Sequence, residues 1–156
     1  MTHAPRRLGR TAATCLVALL AVSCVYGDYR GIYWLNRTPS DQRPSVVDLN
    51  RELDRVLPEF GLAKQGPPCS ARDGCYWVGT AGPITPSLQG LEGAGARTSV
   101  AVGPRNPSIT IIDHDHWDET PFVHALKQRI EDLLKEHFGL SDPRFDQQRL
   151  LLVPNS

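Results

Sequence analysis

The segment from Asp113 to Glu119 contains two histidines among four acidic residues. Alternate side chains of an extended chain point to the same side, so His114 and His116 are expected to face one way. Two neutral imidazoles and a carboxylate such as Asp118 can hold a transition metal, and zinc or copper suits these donors. The alternative is an acidic loop before a helix, because carboxylates there favour the positive end of the helix dipole.

Local signatures of common enzymes are missing from the sequence. It contains no H-E-x-x-H, no G-x-S-x-G, no G-x-x-x-x-G-K-[ST] and no G-x-G-x-x-G. A catalytic triad is recognised by its geometry and cannot be read from composition. The sequence therefore favours a protein that is not an enzyme, with a small hydrolase lacking a local motif as an alternative.

The first 23 residues have the parts of a secretory signal. Arg6, Arg7 and Arg10 form a basic start, and an apolar or small-residue run follows over residues 11–22. That run is much shorter than the roughly 20 apolar residues that a transmembrane helix needs. Residues 1–23 are therefore predicted to be a cleaved signal peptide and not a lasting anchor.

The end of this segment, Leu20-Ala-Val-Ser-Cys24, resembles the lipobox of bacterial lipoproteins. The resemblance implies that Cys24 receives acyl chains, palmitate among them, and becomes the N-terminus of the mature chain. It also implies the outer membrane, facing the periplasm, in preference to the inner membrane, because Val25 and not aspartate follows the cysteine. Ala21 and Ser23 fit an ordinary signal cleavage site as well, and both alternatives cut before Cys24. The globular part shows no family resemblance.

The number of cysteines bears on the same choice. Removal of the signal discards Cys15 and leaves three cysteines in an oxidising compartment, where an unpaired thiol is a liability. Lipid attachment to Cys24 accounts for the cysteine that has no disulfide partner. Cys69 and Cys75 are then the expected disulfide, which closes a short loop.

Cleavage also changes the charge of the chain. Three arginines and no acids leave with the signal, so that 14 basic and 17 acidic side chains remain, a net charge of −3. Such a chain has no basic patch for nucleic acid or for anionic lipid. The partners that we expect are the membrane, through the lipid on Cys24, and another envelope protein.

The remaining 133 residues suit a single domain. Residues 24–43 are predicted to be a lipidated N-terminus and tether, and residues 44–156 a single globular domain. Tyr26, Tyr29 and Tyr33 lie in the tether, and tyrosine favours a setting with one apolar and one wet side. This segment is expected either to rest on the bilayer or a partner, or to form an edge strand or arm packed on the domain.

Two helices are indicated by their start and stop signals. The first runs from Ser45 to about Leu57, with a capping box at its start, apolar residues at helical spacing and a proline after its end. The second runs from Pro121 to about Phe138, with Thr120 as its cap and a glycine after it.

Strands are predicted from alternating and β-branched residues between glycines and prolines. The middle of the chain gives three of them, and the tail adds a fourth at its edge. The fold class is therefore α+β, a small antiparallel sheet of three to four strands with two helices packed on one face. The predicted strands are 76–78, 98–102, 108–112 and 149–153.

A long glycine-rich stretch separates the first of these strands from the second. Loops of this length are typically binding elements or flexible spacers. Ile84, Leu88 and Leu91 give it apolar anchors, and they form a hypothetical partner-binding loop.

Three functions remain open on this basis. The leading one is a membrane-tethered envelope lipoprotein that acts as a non-catalytic binding or accessory module, as a subunit of an envelope complex or as an inhibitor or immunity protein. The others are a periplasmic metal-binding protein that uses His114 and His116, and the small hydrolase. A cofactor is expected only in the second case, as zinc or copper.

Overall fold

The structure is a computed structural model that describes residues 27–35, 43–70, 74–79, 83–94, 97–104, 107–114 and 116–151. These residues contain six strands and two α-helices. In chain order the elements are β1 (Gly27–Trp34), α1 (Val46–Val56), a 3-10 turn (Leu57–Phe60), β2 (Leu62–Ser70), β3 (Gly74–Gly79), β4 (Thr98–Val102), β5 (Ser108–Asp113), α2 (Pro121–Phe138) and β6 (Arg144–Leu151).

Both helices begin and end where the sequence predicts. The hydroxyl of Ser45 accepts from the backbone amide of Asp48 at 3.0 Å, which is the N-cap bond of the predicted capping box, and it donates to the Asp48 carboxylate at 2.7 Å. Thr120 caps α2 through the amide of Val123. Gly139 ends α2 in the left-handed conformation, with φ of 68°, which glycine adopts without strain.

The strands form one antiparallel sheet in the order β2-β3-β4-β5-β1-β6. The α+β class and the predicted hairpin of β4 and β5 are confirmed, but the expected three to four strands are too few. β2 was missed because Gly66, Pro67 and Pro68 interrupt its pattern, and the register with β3 shifts between Gln65 and Ser70. β6 starts five residues earlier than predicted, since its polar side chains hide the alternation.

The segment Gly27–Trp34, which the sequence assigned to the tether, forms the strand β1 of the sheet. This strand lies between β5 and β6 and pairs with both. Tyr29 and Tyr33 are fully buried in the core. Of the tyrosines that suggested a segment at an apolar–wet boundary, Tyr29 and Tyr33 are therefore core residues whose hydroxyls have polar partners, and the strand is internal, not an edge.

Both helices pack on one face of the sheet. The residues that β1, β3, β4 and β5 direct to this face share a single core with the apolar sides of the helices. Its members include Tyr29, Tyr33, Leu49, Leu53, Leu57, Trp77, Val100, Val102, Ile109, Ile111, Phe122, Leu126, Ile130 and Leu134.

The strand directions sort the connections into two groups at opposite ends of the sheet. β1 starts where β6 ends, with Gly27 opposite Leu151, and where β5 ends, with Tyr29 opposite Asp113. Each helix therefore joins two parallel strands that have other strands between them, a split β-α-β arrangement. We name the two ends of the sheet the Gly27 end and the Trp34 end after the two ends of β1.

The segments that the sequence singled out lie together at the Gly27 end. Because β3 and β5 both end there, the connections over 80–97 and 114–120 both start from it. The short connections from β2 to β3 and from β4 to β5 lie at the Trp34 end. The topology thus places both of these connections at the same end of the sheet.

Candidate functional site

A buried carboxylate lies at the centre of the Gly27 end. Asp113 is fully buried at the end of β5. Thr98 Oγ1 donates to its Oδ1 at 3.2 Å, and Thr120 Oγ1 donates to its Oδ2 at 3.0 Å. A buried carboxylate is costly unless it is hydrogen-bonded, so these two hydroxyls make its position tolerable.

Each of the two predicted histidine ligands faces a buried carboxylate through Nδ1. His114 Nδ1 lies 2.8 Å from Asp28 Oδ2, and the Asp28 side chain is 7% exposed. His116 Nδ1 lies 3.2 Å from Asp113 Oδ2, but without the alignment of a hydrogen bond. Asp28 was not among the predicted site residues, because only the pairing of β1 with β5 brings it beside His114.

The third predicted ligand has a different partner. Asp118 is bound by Arg149 from β6. The part of the chain that the structure describes contains no group of three or more histidine, cysteine, aspartate or glutamate side chains placed to hold a metal ion. His114, His116 and Asp118 are thus each paired with a separate charged residue.

Glu119 connects the same loop to α2 and to the core. Its Oε2 accepts from Tyr29 Oη at 3.1 Å and from Lys127 Nζ at 2.6 Å, and its Oε1 lies 2.7 Å from His124 Nδ1. Burial alone would raise the pKa of the Glu119 carboxyl, but the bonds from Lys127, His124 and Tyr29 together outweigh it and lower this pKa. Burial, reinforced by Glu119, raises the pKa of the Tyr29 phenol. The Glu119 carboxylate is therefore ionised, and it connects the loop to β1 and to α2.

A cleft opens beside β2, which is an edge strand. It has a volume of about 500 Å³, within the range of ligand pockets. Pro58 lies at its surface, Trp77 and Leu62 lie nearly fully buried beneath it, and Asp54 and Lys64 form an ion pair of 2.6 Å in its lining. The remaining lining residues are Gly61, Ala63 and Pro83.

The polar groups of the cleft are tied to its tryptophan. Trp77 Nε1 donates to Asp54 Oδ1 at 3.0 Å, and Lys64 Nζ lies 5.4 Å from the centre of the Trp77 ring. Their positions are therefore set before any ligand arrives, which lowers the cost of binding. This site was not predicted from the sequence, because the helical pattern places Asp54 on the solvent side and β2 was not predicted.

The hypothetical partner-binding loop is packed against its own domain. Ile84, Leu88 and Leu91 are partly buried against the core. Backbone hydrogen bonds order this segment, among them Leu88 N to Thr85 O at 2.8 Å and Phe122 N to Glu92 O at 3.2 Å. At least part of its apolar surface is therefore used within the molecule.

Of the cysteines with a predicted role, Cys75 has a side chain that the structure describes. Cys75 is disulfide-bonded at the start of β3. The side chain of its expected partner Cys69 lies outside the described residues, as do Cys24 and the whole signal segment.

Comparison with protein-family models, curated proteins and solved structures gives no match. Within the described ranges, no helix is long and apolar enough to cross a membrane.

Proposed function

We propose that this chain is an exported lipoprotein, anchored through Cys24, whose domain is a non-catalytic binding module for another protein of the cell envelope. The lipobox-like segment supports the anchor. The disulfide at Cys75 supports export, because disulfides persist in oxidising compartments such as the periplasm. We place the anchor in the outer membrane, with the domain in the periplasm.

The observation that carries the binding role is the cleft beside β2. It combines a preformed apolar surface with an ion pair at fixed positions, which is the usual make-up of a recognition pocket. β2 is also an edge strand, whose free backbone groups can pair with an extended segment of a partner. The proposed ligand is therefore an extended segment of a partner protein that pairs with β2 and lies against the ion pair of Asp54 and Lys64.

Lipid attachment is tested by labelling the full chain with a radioactive or clickable fatty acid in a bacterial host. The parent chain should carry the label and fractionate with the outer membrane, whereas Cys24→Ser should take up no label and leave the membrane fraction. A parent chain without label, or a Cys24→Ser chain that still fractionates with membranes, would show that this anchor does not exist.

The binding role is tested by capture from solubilised envelopes with two charge-reversal variants. Lys64→Glu reverses the cation in the cleft and opposes Asp54, so partner capture should be lost. Lys135→Glu makes the same charge change on an exposed position of α2 outside the cleft and should leave capture intact. Thermal unfolding of both variants checks that they remain folded. Equal capture by both variants would show that the cleft is not part of the binding site. Absence of capture by the parent chain would contradict the binding role.

A second candidate, metal binding, is favoured by the orientation of the two histidines. Histidines that bind metals commonly direct their second ring nitrogen to a carboxylate, as His114 does to Asp28 and as His116 approaches Asp113. Titration of the soluble mature chain with zinc and with copper should then show binding that disappears in His114→Ala/His116→Ala and persists in His137→Ala. Absence of binding by the parent chain would end this candidate.

A further inference from the structure

The lipidated cysteine that we propose lies very close to the sheet. Three residue steps separate Cys24 from Gly27, where β1 begins. Whatever the conformation of these residues, they span at most about 11 Å. If the anchor is at Cys24, the bilayer surface cannot be far from the Gly27 end of the sheet.

The strand order determines what else lies at that end. β4 starts opposite the last residue of β5, with Thr98 opposite Asp113, and β6 ends opposite Gly27. The loop from His114 to Glu119 and the start of α2 are therefore at the same end. The Trp34 end lies about 23 Å away along β1, seven residues at the usual rise of about 3.3 Å.

Trp117 is the large aromatic residue nearest to the start of β1 in this loop. Its ring packs directly on Gly27, where a Cβ atom would lie 2.4 Å from the ring. The residue is only half-buried, so part of its indole faces outward beside the first residue of the strand. Tryptophan is enriched at membrane–water interfaces, where the ring can lie among the head groups.

We propose that the Gly27 end of the sheet lies against the bilayer, with Trp117 in the head-group region, and that the Trp34 end points away from the membrane. This orientation rests on the proposed lipidation of Cys24. It adds to that proposal a second, protein-borne contact, and it assigns a face of the domain to the lipid surface.

The charges at the Gly27 end show which lipid this contact suits. The acidic side chains at this end outnumber the lysine and arginines, and Lys127 and Arg149 are already paired with Glu119 and Asp118. The acidic ones are Asp28, Asp113, Asp118 and Glu119, and the basic ones are Arg97, Lys127 and Arg149. Attraction to anionic head groups therefore does not drive the contact. The surface fits a zwitterionic bilayer, and its contact should change little with salt.

The orientation also restricts how a partner reaches the cleft. Pro58, Gly61 and Leu62 lie between the end of α1 and the start of β2, at the Gly27 end. The cleft is then beside the membrane and several strands away from Trp117. A partner that binds there is expected to be anchored in the same membrane or to reach its surface.

The experiment uses the lipidated mature chain in phosphatidylcholine vesicles whose acyl chains carry bromine, a short-range quencher of tryptophan fluorescence. The described residues contain three tryptophans, of which Trp77 is buried in the core and stays in every sample. Trp34→Phe keeps Trp117 as the second fluorophore, Trp117→Phe keeps Trp34, and the double variant gives the baseline of Trp77. Flotation of each sample with vesicles is measured first.

Quenching is expected in the Trp34→Phe chain, and its loss to the baseline is expected in the Trp117→Phe chain. Equal or stronger quenching of Trp34 would overturn the orientation, and so would a vesicle-bound chain in which neither tryptophan is quenched above the baseline. A chain that carries no lipid and does not float overturns the anchor and the orientation together, so flotation separates failure of the anchor from failure of the orientation alone.

Discussion

A single carboxylate, Glu119, joins three parts of the fold at the Gly27 end. It receives hydrogen bonds from Tyr29 of β1 and from Lys127 of α2, and it lies against His124 one turn before Lys127. Its side chain is 20% exposed, so solvent screens these interactions only partly. The loop that carries the histidines is held to the core through this residue.

Glu119→Gln is expected to lower the free energy of unfolding by roughly 1–3 kcal/mol near neutral pH, because it removes charge-assisted hydrogen bonds. The folded state lowers the pKa of this carboxyl, so its stabilising contribution is present above the unfolded pKa of about 4.3 and is lost as the pH falls through the folded value. The difference in stability between parent and variant should therefore close at acidic pH. Denaturant unfolding at a series of pH values measures it.

Glu136→Gln, an exposed substitution on α2, should show no such closing gap. A gap between the parent and Glu119→Gln that stays constant over the acid range would contradict the role given to the ionised carboxylate.

At the scale of residues, the sequence predicted the chemical types present but not their partners. The spacing of His114 and His116 suggested two imidazoles directed at one ion. The carboxylates that face them, Asp28 and Asp113, come from different strands, and neighbouring strands can be paired only once the topology is known. The cleft was hidden for the same reason, since Asp54 and Trp77 are 23 positions apart.

At the scale of elements, the two helix caps provide a matched comparison. Ser45 caps an exposed helix start, while Thr120 both caps α2 and donates to the buried Asp113. Ser45→Ala is expected to cost about 1 kcal/mol, the usual loss of a cap. Thr120→Ala should cost roughly 2–4 kcal/mol, because it also weakens the solvation of a buried carboxylate.

Chemical unfolding of both variants measures this difference, and Thr120→Ser is the control because it keeps the hydroxyl. Equal costs for the two alanine variants would mean that the bond from Thr120 to Asp113 does not support the carboxylate.

The packing of β1 against β6 requires a glycine at position 31, where any side chain would meet the ring of Phe145. A Cβ atom at Gly31 would lie 2.4 Å from Cζ of Phe145, whose ring covers the glycine. Gly31→Ala is therefore expected to destabilise the domain by about 1–3 kcal/mol through overpacking. Gly90→Ala, where a Cβ atom meets nothing within 4 Å, should have little effect.

A double-mutant cycle in thermal or chemical unfolding checks the cause. Phe145→Leu removes the ring atoms that clash, so the cost of Gly31→Ala should fall in its presence by about 0.5–3 kcal/mol of coupling. Strictly additive effects would place the strain somewhere other than this contact.

Elements with local signals were predicted well, and elements that depend on distant partners were not. Both helices carry their caps and their apolar stripes in the sequence, and their bounds agree with the structure. β2 was missed, because the interruption at Gly66 and the two prolines breaks its alternation. β1 has nearly every residue buried, so it shows no alternation between an inner and an outer face.

At the scale of the whole molecule, β1 links the two parts of the sheet. It lies between β6 on one side and the four strands from β5 to β2 on the other. Residues 27–34, which the sequence assigned to the tether, are therefore an internal strand of the sheet. Under the proposed lipidation of Cys24, only Val25 and Tyr26 stand between the anchor and β1, so we expect a specific orientation of the domain on the bilayer.

Removal of β1 is expected to abolish folding. A chain of residues 44–156 loses Tyr29 and Tyr33 from the core and leaves β6 without its partner strand. A domain is stable by only about 5–15 kcal/mol, and the loss of two fully buried aromatic side chains together with a strand ladder approaches or exceeds that margin.

Residues 25–156 should unfold cooperatively in circular dichroism, whereas residues 44–156 should show no cooperative transition. A peptide of residues 25–35 should restore the transition when added to the shorter chain, and the same peptide with Tyr29→Asp should not. Cooperative unfolding of the shorter chain alone would show that the domain does begin after the predicted tether.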